Sequence, residues 1–192
     1  MVIPKKYKCL SNQNYDFYNY SLIPIRKQDI QLIKTWRNQQ MKILRQKKLL
    51  SSEDQKNYFD NTIIPTFSQT KPKLILFSFL KNYEIIGYGG FVNMDWKNKI
   101  SEISFLVDTN RVNSSNYTSD FSAFIKILKK ITCKELKFFE LFTETYDIRP
   151  THIKVLEKNE FKIKNMKKNG IEINGKRIDI LLHSYICNNQ KN

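Results

Sequence analysis

The sequence predicts an α/β protein of the α+β kind: a mixed, mostly antiparallel twisted sheet of about seven strands flanked by about four helices. Three observations predict it. "KLILFSFL", "EIIGYGGFVNM" and "ISEISFLVD" are consecutive strand-like runs joined only by "KNY" and "DWKNK", which makes an antiparallel meander. "SDFSAFIKILKKI" then changes period and puts Phe121, Phe124, Ile125, Leu128 and Ile131 on one helical face. Two further strand-like runs, "EFKIKNMK" and "KRIDILLHSYI", close the chain around a turn at Asn169-Gly170.

The remaining elements fill in around these. At 192 residues the chain is long enough to bury one core, and it reads as a single domain over 20–192. Residues 1–19, polar and tyrosine-rich ("NQNYDFYNY"), read as a loose extension or an added edge strand. "YSLIPI" is a first strand. Ile30, Ile33 and Trp36 then recur at helical spacing, with Asp29 as the expected N-cap. Ser52 followed by Gln55 has the spacing of a capping box, so a second helix is expected over 52–63. "LKFFELFTE" is a strand. "RPTHIKVLEKN" is a helix in which Pro150 is tolerated only in the first turn.

Composition narrows the function classes. The chain is 41% hydrophobic and 27% charged, ordinary for a globular protein. No apolar run approaches the roughly 18 residues of a membrane helix, and "MVIPKKYKC" has no apolar signal core. Cys9, Cys133 and Cys187 have no close spacing, so neither a disulfide framework nor a metal site is expected, and a reducing cytoplasm is the default. Cys133 reads as buried helix filler. The net charge of +15 accompanies a richness in Lys, Asn and Ile together. That richness reads as compositional drift with a modest attraction for small anions. The lysines form no dense stripe, so nucleic acid is not the expected partner, and neither is a membrane.

The chemistry centres on "ISEISFLVDTNRVNSSNY", residues 100–117. On a strand, Ile103, Phe105 and Val107 share one face and Glu102, Ser104 and Leu106 the other. From Glu102 the strand covers about 20 Å at roughly 3.3 Å per residue, as far as Asp108, before the loop at Arg111. A loop that feeds a helix offers free N–H groups and a positive dipole end, which suit phosphate. One strand could therefore hold a long ligand, with a pyrophosphate at one end and a reactive group near a carboxylate.

At this point the sequence resembles the GNAT superfamily of N-acetyltransferases, across about residues 20–187. The run Arg111-Val112-Asn113-Ser114-Ser115-Asn116 is similar to the family's acetyl-CoA motif, Arg/Gln-x-x-Gly-x-Gly/Ala, with Ser114 and Asn116 in place of the two small residues. "SEISF" resembles the strand that carries a glutamate base in some members. "IIGYGGFVNMDW" resembles the strand before it, and "HIKVLEKNEF" the family's "LEKxGF" segment, with Glu160 in place of the glycine. "TWRNQQMKILRQ" is similar to the "WRN" region of the branch with ribosomal-protein N-terminal and amino-sugar N-acetyltransferases. Arg149 replaces a common Asn, and Leu156 stands where many members carry a tyrosine acid.

The resemblance implies acetyl-CoA as co-substrate and a primary amine as acceptor. It implies that Phe105, Leu106 and Val107, the run Arg111 to Asn116, Tyr117 and Arg149 bind the cofactor. An amine attacks a thioester only when unprotonated, so a base is needed; Glu102 is the candidate. The oxyanion needs a preorganised donor, expected from a backbone N–H near Phe105 or Leu106. Tyr146 and His152 are the candidates for protonating the thiolate, whereas His183 reads as structural. Trp36, Arg37, Asn38 and Arg45 fall where this branch builds the acceptor side, and an Arg there clamps a phosphate or carboxylate. The expected acceptor is therefore an anionic small molecule, a nucleotide-linked amino sugar for surface glycan synthesis. A protein N-terminus is the alternative enzyme reading. A non-catalytic CoA- or nucleic-acid-binding module is the other. The oligomeric state is open, a homodimer being one option.

Overall fold

The computed structural model describes residues 5–187. One eight-stranded sheet organises them, in the order β1-β2-β3-β4-β5-β6-β8-β7. The strands are β1 (Tyr15–Phe17), β2 (Tyr20–Pro24), β3 (Ile75–Lys81), β4 (Glu84–Asp95), β5 (Ile100–Val107), β6 (Glu140–Tyr146), β7 (Lys162–Ile173) and β8 (Lys176–Ile186). Every neighbouring pair is antiparallel except β5 and β6, which are parallel. The helices are α1 (Ile30–Gln39), α2 (Ser52–Tyr58), a single turn α3 (Thr109–Val112), α4 (Asn116–Lys130) and α5 (Pro150–Lys158). The α2 segment runs on through a π-turn, Phe59–Ile63, and a last helical turn, Ile64–Thr66. Among the described residues, no helix is long and apolar enough to cross a membrane.

The strand beyond the expected seven is β1. It comes from the N-terminal segment, which packs closely: Tyr7 is buried, stacks on Phe67 at 4.1 Å and donates to the Leu76 carbonyl at 2.8 Å. The extra helix is the single turn α3, inside the loop read as a phosphate cradle.

Local chemistry moved three boundaries. The capping box is Ser51 with Asp54, one residue before the expected pair: Asp54 N–H donates to Ser51 Oγ at 3.0 Å, and Ser51 N–H to Asp54 Oδ2 at 2.9 Å. Aspartate at the third position closes the box as glutamate would, and Gln55 is left free to turn inward. Asp29 precedes α1 but does not cap it. Its carboxylate is spent on Arg26, at 2.7 and 2.9 Å, and on Ser78 Oγ at 2.6 Å. The closing hairpin turns at Asn174-Gly175, not at Asn169-Gly170. Asn174 (φ 52°) and Gly175 (φ 73°) both take the left-handed backbone of a two-residue hairpin turn. Asn169-Gly170 is absorbed as an irregularity between Lys167 and Ile171.

The cysteine expectation is corrected. Cys133 and Cys187 are joined by a disulfide with Cα atoms 5.5 Å apart, across a separation of 54 residues. Cys133 is half-buried in the turn that ends α4, and Cys187 directly follows β8. Fold topology, invisible in the spacing, brings them together.

The core lies on both sides of the central strands. Phe105 stacks on Phe121 of α4 at 4.4 Å, and Phe79 meets Phe124 edge-on at 5.3 Å; such pairs add about 0.5–1.5 kcal/mol each beyond area burial. This tight seat needs a strand without side chains below it: a Cβ on Gly89 would sit 2.1 Å from the Ser104 carbonyl and 2.8 Å from Phe124. The opposite face of β5 looks toward α1 and α2, because Ser104 and Leu106 alternate with Phe105.

Candidate active site

The only parallel pair in the sheet is also where it opens. β5 and β6 pair at Ile100, Ser101 and Glu102, opposite Glu140, Leu141 and Phe142, and not beyond. From there β5 stays with β4 to Val107 and β6 stays with β8 to Tyr146. The two strands diverge and leave a wedge of about 270 Å³. Past Glu102, every second residue of β5 points its N–H and C=O into this wedge without a ladder partner. Ile103, Ser104 and Phe105 line one wall, Thr143 to Tyr146 the other, and Arg149 and His152 of the α5 segment the end.

Glu102 sits at the apex, 3% exposed. A bulge in β4 between Val92 and Asp95 puts Asn93 in left-handed backbone (φ 49°). From there its amide donates to Glu102 Oε2 at 2.7 Å. The other oxygen is paired with Arg45. Arg45 reaches over from the loop after α1 and also lies 3.5 Å from Glu144. Two carboxylates, one guanidinium and the Tyr146 hydroxyl thus share the acceptor end. Burial raises the Tyr146 pKa, and Arg45 opposes that rise.

His152 and Tyr117 form the other polar group. The Tyr117 hydroxyl is 2.6 Å from His152 Nδ1 and accepts from Arg149 Nη2 at 3.0 Å. The imidazole stacks on Phe121 at 4.2 Å. Burial, reinforced by Arg149 and His183, holds the His152 pKa well below the usual histidine value, so the ring is neutral. Burial raises the Tyr117 pKa, with Arg149 pulling the other way. His183 is completely buried, and neither of its nitrogens, nor Thr145 Oγ1, has a partner among the described residues. Burial lowers the His183 pKa against an opposing pull from Glu157.

The loop read as a phosphate cradle folds partly on itself. Ser114 N–H donates to the Arg111 carbonyl at 3.2 Å, Tyr117 N–H to the Ser114 carbonyl at 3.2 Å and Asn116 N–H to Ser114 Oγ at 3.3 Å. The Arg111 side chain turns away from any ligand, onto Asp120 at 2.6 and 3.0 Å. What stays open is the start of α4. Ser115 makes no side-chain cap there, and with Asn116 and Tyr117 N–H held by Ser114 the N–H groups of Ser115 and Thr118 remain available to an anion, beside the exposed Asn113, Ser115 and Asn116. Leu106 and Val107 are core side chains, Val112 packs partly on the core, and the Val107 carbonyl accepts from Gln40 at 2.8 Å.

On the acceptor side, Trp36 is 3% exposed and belongs to the core, away from the wedge. Asn38 pins the following loop, donating to the Leu50 carbonyl and accepting from Leu50 N–H, each at 2.9 Å. Arg37 lines the wedge but donates to Tyr88 at 2.7 Å and Gln46 at 3.1 Å. Behind it a second chamber, also about 270 Å³, shares Arg37, Tyr58, Val92 and Ser104 with the wedge. Asn93, Glu144 and Tyr58 were not singled out from the sequence, and Gln55 was read only as a helix cap. Glu144 alone carried a usable signal, two residues from Tyr146 on the same strand face.

A mixed sheet parted at its one parallel pair, with a buried carboxylate at the apex and an open helix end beyond, defines a group transferase for a long anionic donor. The model of the acetyltransferase (GNAT) domain matches residues 22–182. The chain belongs to this family and is an acetyl-CoA-dependent N-acetyltransferase. Solved structures with the same fold include a spermidine N-acetyltransferase from Vibrio cholerae in complex with CoA and spermine (TM-score 0.76, 11% identity, 89% of this chain and 97% of that one). They also include a ribosomal-protein-S5-alanine acetyltransferase from Vibrio fischeri (TM-score 0.71, 16% identity, 94% and 100%). A third is a probable acetyltransferase (TM-score 0.69, 17% identity, 90% and 96%). No curated protein sequence matches this chain.

Proposed function

We propose that this acetyltransferase acetylates a small primary amine with a compact, uncharged, hydrogen-bonding body, an amino sugar being the class that fits. The second chamber carries this reading. Ile25, Leu50, Ile63 and Leu76 wall it, and Gln55, 4% exposed, also lines it. Gln55, the Tyr58 hydroxyl and Ser104 Oγ make no side-chain hydrogen bond with any described residue, whereas the charged groups nearby are already paired. Uncommitted neutral donors and acceptors in an apolar chamber select a ligand that hydrogen-bonds without carrying charge. None of the relatives reported above is named for an amino sugar, so the reading rests on the chamber. The nucleotide part of the sequence expectation is not kept, since Arg37 and Arg45 are committed to protein partners.

Acetyl-CoA supplies the thioester, and the open start of α4 with Asn113, Ser115 and Asn116 is suited to its pyrophosphate. The free edge of β5 near Phe105 offers an N–H to the developing oxyanion. Glu102 takes the amine proton, directly or through one water, once the acceptor displaces Arg45 toward Glu144. His152 faces the departing thiolate.

The test starts with acetyl-CoA titrated into the protein by calorimetry. CoA release is then followed with a free hexosamine, a nucleotide-linked amino sugar, a peptide with a free N-terminus, and spermidine. The hexosamine is expected to give the highest kcat/KM. Glu102→Gln should lower kcat roughly 10²–10⁴-fold, and Gln55→Leu should raise the hexosamine KM at unchanged acetyl-CoA affinity. A preference for spermidine or the peptide overturns the acceptor reading.

A further inference from the structure

The tyrosine that protonates the thiolate in many relatives is absent here, since Leu156 is fully buried in its place. We propose that Tyr117, acting through His152, supplies the proton that neutralises the departing CoA thiolate, with Arg149 holding the phenolate left behind. This rests on the acetyltransferase reading of the wedge and assigns its proton source.

The direction of transfer follows from the tautomer in which Tyr117 donates to His152. A neutral imidazole whose Nδ1 accepts from a phenol carries its hydrogen on Nε2. His152 lines the wedge. Its Nε2 bonds to no described residue and is not sealed off, unlike both nitrogens of His183. The donor therefore faces the cavity, and the stack on Phe121 holds the ring plane in place. In the step, the C–S bond of the tetrahedral adduct breaks and its electron pair goes to sulfur. The sulfur takes the Nε2 proton, and Nδ1 takes the hydroxyl proton of Tyr117 over 2.6 Å. The O–H electron pair stays on the phenolate, 3.0 Å from the Arg149 guanidinium. After the products leave, Nδ1 returns its proton to the Tyr117 phenolate and Nε2 takes one from solvent, which restores the relay.

The charged and titratable groups around His152 are consistent with a neutral relay. Tyr117 faces it from α4, Arg149 from the start of α5, and His183 from β8. Glu102, Glu144 and Tyr146 lie across the wedge, on β5 and β6. Burial, Arg149 and His183 all oppose an imidazolium, so a resting His152 cation is not available as a simple acid. A neutral ring can only pass a proton on, and Tyr117 is the one hydroxyl bonded to it.

The experiment uses hydroxylamine as acceptor, a nucleophile that is unprotonated at neutral pH and bypasses Glu102. Tyr117→Phe keeps the ring packing and deletes only the hydroxyl. It should slow CoA release roughly 10²-fold at unchanged KM for acetyl-CoA. Its rate should also fall about tenfold per pH unit above neutrality, because solvent must now supply the proton, while the wild type stays flat. His152→Gln should lose the same factor, and the double variant no more. Nitrogen-15 spectra provide a reading without turnover, since the chain has only 2 histidines. The wild type should show His152 as the Nε2–H tautomer at neutral pH, with its titration displaced below that of an ordinary histidine. A Nδ1–H tautomer, or a Tyr117→Phe rate and pH profile matching wild type, overturns the relay. Failure of the wild type to release CoA at all would instead count against the donor reading, and the tautomer would still decide the relay.

Discussion

Asp120 is fully buried, and three side chains converge on it: Arg111 through two hydrogen bonds, the Tyr20 hydroxyl at 2.9 Å, and Lys81 at 3.6 Å. Arg111 is the one residue of the family motif kept in this loop, and the structure spends it as a staple between the loop and α4. Hydrogen bonds to a charged partner contribute about 1.5–3 kcal/mol, and a buried charge stripped of its partner costs more. Arg111→Gln should therefore lower urea stability by about 2 kcal/mol. Asp120→Asn should cost a similar amount, and the double variant should lose less than the sum, with a coupling of about 1 kcal/mol or more. Acetyl-CoA affinity should track loop stability. A variant at Arg111 that keeps full stability but loses affinity would instead place the guanidinium on the phosphates. The pairing could not be read from sequence, because nine positions separate the two charges across a loop whose path was unknown. The Arg45–Glu102 pair was hidden for the same reason, over a longer distance.

At the level of elements, the disulfide ties the end of α4 to the end of β8. Cross-linking residues 54 apart removes loop entropy from the unfolded chain, roughly 4 kcal/mol on the chain-entropy account. Cys187→Ser should lower the urea midpoint by a corresponding amount, and excess reductant should bring the wild type to the same midpoint. An unchanged midpoint in both would show that the cysteines stand as thiols, as a reducing cytoplasm would keep them. The elements themselves were largely legible. The meander β3–β5, the apolar face of α4 and the proline-led α5 follow from periodicity and turn length, which are local. What escaped was decided between elements. β1 was readable only as one of two options for residues 1–19, because it is too polar to decide between an edge strand and a loose extension, and it forms because β2 offers it an edge. Two Asn-Gly pairs compete for the last turn, and the register of β7 on β8 chooses Asn174-Gly175 over Asn169-Gly170.

Over the whole molecule, the net charge of +15 is spread over many surface lysines. Most of the charges at the site are paired: Glu102 with Arg45, Asp120 with Arg111, and Glu144 with Arg45. The wedge was legible as a function of one strand, since Glu102 and the following loop had to lie on a single line about 20 Å long. The second chamber was not, because it needs α2 packed behind Ser104, and that depends on where Gln55 points after its helix is capped at Ser51. Long-range charge and local chemistry therefore separate, and salt distinguishes them. Surface charge steers a polyanion such as acetyl-CoA toward the protein, and a Debye length of about 10 Å at 0.1 M salt removes most of that steering. Raising salt from about 0.05 to about 0.5 M should slow acetyl-CoA association severalfold and leave kcat unchanged, because Glu102 and His152 at the reacting centre are buried. An oligonucleotide of mixed sequence should bind weakly and be released over the same range. If it instead binds tightly with a steep linear loss in log affinity against log salt, the positive surface is a nucleic-acid interface, and the excess lysine is a second function of the molecule.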